Sequence, residues 1–232
     1  MQRSRKNPLR PPIIIDMLRA LRTTLRHESN PFDACVWAMA ACAFWGLMRF
    51  GEVAVPSWSA FKDDPSKFVK RSEAAILCDP EGNPYIKIEL PWAKTASPGE
   101  SQPVFIVAQE DLCPVKALAN LIKVVPANAS DHLFSWMDKN GEIRPMVKAR
   151  AIGTINAILT NHGWGTTFGH SFRIQVGGAS FFLAQGVNPE VVRLAGRWKS
   201  MAYETYIRVF EQVASRHLRA RVGRASNMPQ SG

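Results

Sequence analysis

The sequence predicts a mainly α fold with a small three-stranded antiparallel sheet set near its middle, and three observations lead there. Stretches on both sides of the centre carry apolar residues at helical spacing. The centre instead has short runs that alternate apolar and polar residues between clusters of turn formers. One segment, residues 34–48, is apolar nearly all round, as a helix buried in a core must be. Hydrophobic residues make up 46% and charged residues 21% of 232 positions, enough to bury a sizeable core and too few charges for a disordered polyelectrolyte.

The elements follow in order. Residues 1–12, MQRSRKNPLRPP, read as a basic linker held extended by Pro11 and Pro12. Residues 16–27 have Met17, Leu18, Leu21 and Leu25 on one helical face. Ser29-Asn30-Pro31 is a helix start, with Pro31 suited to the first turn, and the buried helix of residues 34–48 follows. Strands are expected over residues 74–77, 85–90 and 102–107. The cluster Asp79-Pro80-Glu81-Gly82-Asn83-Pro84 separates the first two, and a loop containing Pro98 and Gly99 separates the last two. Helices return over residues 114–125, 147–160 (Ile152, Ile155 and Leu159 as the apolar face), 171–185, 189–195 and 203–221. Residues 225–232 form a polar tail. The expected organisation is therefore a linker (1–12), one domain (13–224) and a tail (225–232).

Bulk properties narrow the function. No apolar run reaches the roughly 18–20 residues of a membrane span, and no apolar signal region follows the basic start, so an intracellular protein without membrane association is expected. Cys35, Cys42, Cys78 and Cys113 form no close pair at metal-ligand spacing, and the five histidines are scattered, so reduced thiols and no metal site are expected. The net charge of +10 is concentrated towards the ends. Residues 1–27 hold seven Lys or Arg against Asp16, and residues 193–224 hold eight against Glu204 and Glu211. A polyanion, above all nucleic acid, is the partner such a balance suits.

Five features carry possible chemistry. Arg49 and Glu52 stand three apart just after the buried helix, where an ordinary ion pair would also stand. Lys94 lies at the end of a strand beside a loop, like many solvated lysines. Gly169-His170-Ser171-Phe172-Arg173 sets a His and an Arg three apart at a helix start. Trp198, in Ala195-Gly196-Arg197-Trp198, and Tyr206, in Thr205-Tyr206-Ile207-Arg208, would each pass for packing residues. Taken singly, none of these is specific.

Their order along the chain is specific. Arg49, Lys94, His170-x-x-Arg173, Trp198, Tyr206, with the sheet lysine between two helical blocks, resembles the catalytic domain of tyrosine recombinases, the family of Cre and the lambda-type integrases. The wording of the late segment is similar to recombinases of eukaryotic mobile elements such as Cryptons, and the resemblance runs from about Pro11 to Arg221. It implies the recombinase catalytic-domain fold, double-stranded DNA as substrate, and cutting and rejoining through a 3′-phosphotyrosyl bond. It implies no cofactor, neither ATP nor a metal, self-association as a tetramer on DNA, and a nuclear location in a eukaryote. Arg49 and Arg173 would fork onto the phosphate. His170 would bind the phosphate and help take the tyrosine proton. Lys94 would protonate the leaving 5′-oxygen, and the Trp198 indole would donate one further bond. Glu52 would hold the arginine or histidine in place, and Tyr206 would be the nucleophile, with Tyr203 the alternative.

The sequence departs from the family pattern in three places. Arg173 to Trp198 is about two positions longer than in Cre-like relatives, with Gln175-Val176 the expected insertion, taken up in a loop or bulge. Trp198 to Tyr206 is about one position shorter. The family carries a helical core-binding domain ahead of the catalytic domain, and the expectation here is a chain without it. Other readings consistent with the residues are a catalytically impaired or repurposed DNA-binding derivative, a type IB topoisomerase, and a helical nucleic-acid module of other ancestry.

Overall fold

The computed structural model describes residues 12–91, 101–164 and 174–198. Its centre is the helix α2, Pro31–Trp45, of which every residue from Ala34 to Trp45 is buried. Pro31 occupies its first turn, and the Asn30 side chain caps it by accepting from the backbone N–H groups of Phe32 and Asp33. Around α2 pack α1 (Ile15–Thr24), α5 (Pro114–Val124) and α7 (Ile174–Ala184). A further helix, α6 (Lys148–Asn161), packs on α1 and buries Ile152, Ile155 and Leu159, the face expected from periodicity. α8 (Pro189–Ala195) packs on α7 and starts on an Asn188 cap.

The three strands form one antiparallel sheet in the order β1 (Ala74–Cys78), β2 (Pro84–Leu90), β3 (Gln102–Val107). Alternation divides its faces. Ile86, Ile88, Leu90, Val104 and Ile106 point into the core, while Lys87, Glu89, Phe105 and Val107 point outward.

The structure corrects several boundaries and adds elements. α1 stops at Thr24, because Leu25 turns extended, although Leu25 itself is buried. α2 ends at Trp45, three residues before its apolar run does. α6 runs one residue later than expected at each end. Two short helices, α3 (Phe50–Val53) and α4 (Trp58–Asp63), and a hairpin of β4 (Ser135–Met137) and β5 (Ile143–Pro145) were not expected. Each is too short to show a period. Asp138 organises the hairpin turn, accepting from the backbone of Asn140 and Glu142 and from Arg144 Nε. Gln175 and Val176 sit in the uninterrupted helix α7, so the expected loop or bulge does not lie at those two residues. The helix expected over residues 203–221 lies outside the described residues.

Two contacts fix α7 against its neighbours. A Cβ on Gly177 would lie 1.8 Å from the Ile13 carbonyl oxygen, and one on Gly178 would lie 2.0 Å from that of Phe44. The helix therefore touches the backbone just before α1 and at the end of α2, an approach only glycine allows.

One core histidine gives the fold a pH dependence. His132 is buried among Phe61, Phe68 and Phe134, and burial pushes its pKa down to about 4. The backbone of Phe134 pushes it up by a smaller amount and Arg71 pushes it further down. The folded chain thus keeps His132 neutral where the unfolded chain, with an ordinary histidine pKa near 6.5, already takes a proton. This contribution is complete above pH 6.5 and is lost as pH falls towards 4, by about 3 kcal/mol in all. Urea titrations at pH 7 and pH 4.5 should show a smaller pH-dependent loss in His132→Leu than in the wild type, whatever the substitution costs at pH 7.

Candidate active site

α2 and α8 end in the same way, and the site residues follow directly. After α2, Leu47 takes a left-handed conformation at φ 47, and the N–H of Met48 reaches back to the Ala43 carbonyl at 2.9 Å. After α8, Arg197 takes φ 58, and the N–H of Trp198 reaches back to the Arg193 carbonyl at 3.2 Å. Both are Schellman closures, which usually place glycine in the left-handed position. α6 and α7 do so, with Gly163 at φ 84 and Gly186 at φ 80. A side chain in that conformation costs roughly 1–2 kcal/mol. The turns that lead into Arg49 and Trp198 therefore both carry this strain.

Arg49 follows the first turn by two residues and α3 follows it. Glu52, on α3, reaches back over this start: its Oε2 accepts from the Arg49 backbone N–H at 2.8 Å, and its Oε1 accepts from Arg49 Nη1 at 3.0 Å. Glu52 Oε2 also accepts from Arg197 Nη2 at 2.5 Å. One carboxylate thus joins two arginines that are 148 positions apart in the sequence. The Glu52 and Arg197 side chains are 8% and 5% exposed, whereas Arg49 keeps 28%, so Arg49 is the member of the trio with donors left for a ligand. Burial pulls the Arg197 guanidinium below the usual arginine value, Glu52 pushes it back up, and the nearby Arg49 charge lowers it again. Glu52 therefore bonds to two arginines at once.

Trp198 is nearly buried and packs with Leu47, Ala179 and Val192, so the second turn rests on the residue that forms the first. Its ring lies over Gly196: a Cβ there would come within 2.0 Å of the indole. Its carbonyl accepts from Arg193 Nη1 at 2.9 Å. Gln175, on the first turn of α7, completes the assembly. Its Nε2 donates to the carbonyls of Leu47 at 2.8 Å and Gly196 at 3.0 Å, one in each turn.

Of the expected site residues, the structure brings Arg49, Glu52 and the Trp198 turn together. Lys94, His170, Arg173, Tyr203 and Tyr206 lie outside the described residues. Arg197 and Gln175 were not expected in the site. Arg197 stood in plain view inside Ala195-Gly196-Arg197-Trp198, but its partner is on another element. Gln175 offered a fainter signal, a lone amide in the apolar run Ile174–Ala184. Among the described residues no group of three or more His, Cys, Asp or Glu is placed to hold a metal ion, and no helix is long and apolar enough to cross a membrane.

No protein-family model matches the chain. No curated protein matches it either. Among solved structures, it is similar to a chain of an Flpe–Holliday junction complex at a TM-score of 0.48 and 13% sequence identity, over 83% of this chain and 47% of that one. The chain thus spans about half the length of that structural neighbour.

Proposed function

We propose that this chain is a DNA strand-transferase of the tyrosine-recombinase type, with Tyr206 as its nucleophile and double-stranded DNA as its substrate. The observation that carries the reading is the Glu52 carboxylate binding both Arg49 and Arg197. The sequence order of Arg49, Lys94, His170, Arg173, Trp198 and Tyr206 requires the end of α2 to meet the end of α8, and that carboxylate spans the two.

The reaction balances without an external energy source. The Tyr206 phenol oxygen bonds to a backbone phosphorus, the bond from phosphorus to the 5′-oxygen breaks, and a 3′-phosphotyrosyl link forms. His170 takes up the phenol proton, because free tyrosine, with a pKa of about 10, is a poor nucleophile at neutral pH. Lys94 delivers a proton to the departing 5′-oxygen. Arg49 and Arg173 fork onto the non-bridging oxygens, where negative charge builds up, and the Trp198 indole N–H adds a donor. A 5′-hydroxyl then attacks the phosphotyrosine and reverses each transfer. Because the phosphodiester energy is kept in that bond, neither ATP nor a metal enters the scheme. Pairing of sites would need several copies, a tetramer as in the family.

The first test is covalent trapping. Duplexes drawn from the DNA flanking the gene are nicked so that the cleaved fragment diffuses away. Wild-type protein should accumulate as a DNA–protein adduct that survives denaturation and forms equally in chelator. DNA binding with no adduct on any such duplex would favour a non-catalytic DNA-binding protein instead.

Binding itself should be electrostatic. A net charge of +10 concentrated near both ends of the sequence suits phosphate contacts. For six such contacts, affinity should fall about a thousandfold between 50 and 200 mM salt. Fluorescence anisotropy with a labelled duplex measures this, and an affinity indifferent to salt would rule out phosphate contacts as its source.

A further inference from the structure

In the turns after α2 and α8 the left-handed position is held by Leu47 and Arg197 rather than by glycine, so other contacts must hold them. Two groups cross between them. Glu52 joins side chains, Arg49 on one turn and Arg197 on the other. Gln175 joins backbones, the carbonyl of Leu47 and the carbonyl of Gly196. Both Gln175 partners are carbonyl oxygens, which only accept, so the bridging group must supply two hydrogens from one atom. A primary amide at the end of a two-carbon stem does this. An ionised carboxylate cannot, and a thioether of the same length offers nothing. The stem has a fixed base, because Gly177 and Gly178 seat α7 against the backbone of Ile13 and Phe44.

We infer that Gln175 is a positioning residue, an amide clamp that sets the separation of the Arg49 turn from the Arg197–Trp198 turn. What those turns do rests on the strand-transfer reading above; the clamp itself does not. Gln175 also lies two positions after Arg173 in the sequence, so the residue that ties the two turns is near the one expected to supply the second phosphate fork.

Two variants test it. Gln175→Met keeps length and bulk and removes both donors. Gln175→Glu places a carboxylate against two carbonyls, which raises its pKa, and regains one donor when protonated. Two readouts are needed. One is the ¹⁵N-indole resonance of Trp198, identified among the seven tryptophans by its loss in Trp198→Phe. The other is the rate of adduct formation on the nicked duplex, beside DNA affinity. In Gln175→Met the Trp198 resonance should move while the other indoles stay. Adduct formation should slow about ten- to hundredfold, the scale of a misplacement of about 1 Å, with affinity within about twofold of wild type. In Gln175→Glu the rate relative to wild type should recover between pH 8 and pH 6. Gln175→Asn, whose amide falls short of both carbonyls, replaces Gln175→Met if the latter does not fold. A Trp198 resonance and a rate both unchanged in the donor-free variant would overturn the inference. So would a loss confined to melting temperature, which marks a packing role only. If wild type forms no adduct, the functional reading fails, and the Trp198 resonance alone decides the clamp: moved supports it, unmoved overturns it.

Discussion

Glu52→Ala is expected to remove about 3–5 kcal/mol of folding stability. The carboxylate serves three donors at once: the Arg49 backbone N–H, the Arg49 guanidinium and the Arg197 guanidinium. Removing it leaves Arg197 5% exposed, with no counter-charge, and with an Nε that already lacks a partner. An uncompensated buried charge is among the costliest single defects. The strained φ of Arg197 then loses a contact that holds it. Glu190→Ala is the matched control. Glu190 also pairs with an arginine three residues on, Arg193, but its side chain is 57% exposed, and its loss should leave stability close to that of the wild type. Urea denaturation of the two variants side by side measures the difference. If Glu52→Ala is as mild as Glu190→Ala, the bridge does not carry the weight assigned to it here. A surviving folded fraction should also be slow to form adduct, because Arg49 has lost the group that aims it.

The fold was readable wherever the chain repeats a local signal. Pro31, Pro114 and Pro189 open α2, α5 and α8 at the positions their chemistry suits, and the cluster from Asp79 to Pro84 separates β1 from β2. The misses share a cause. The apolar run of α2 continues to Met48 through the left-handed turn at Leu47, and that concealed a helix stopping at Trp45. β4 and β5 are three residues each, shorter than any period can register. In the site, the local pair Arg49 and Glu52 was legible from spacing, and Trp198 from its place in the ordered series. Arg197 and Gln175 were not, because what makes them matter is a contact across 145 and 128 positions. Sequence order shows which residue types are present. Which of them is buried against which is decided by packing of α7 on α2 and on the backbone before α1, and that depends on two glycines whose role is invisible without their neighbours.

The covalent step tests the account most directly. Only a nucleophile attached to the protein leaves DNA bonded to the chain after denaturation. Tyr206→Phe removes one oxygen and almost no volume, so folding, DNA affinity and salt dependence should all remain while the adduct vanishes. Tyr203→Phe should form the adduct as wild type does. Arg173→Ala should slow its formation by about 10²–10³-fold, the loss of one donor at the developing charge. The decisive measurement is peptide mapping of the trapped adduct in wild type, Tyr203→Phe and Tyr206→Phe. The account predicts a DNA-linked peptide containing Tyr206 in the first two and none in the third. An adduct that persists in Tyr206→Phe and maps to another residue would contradict it.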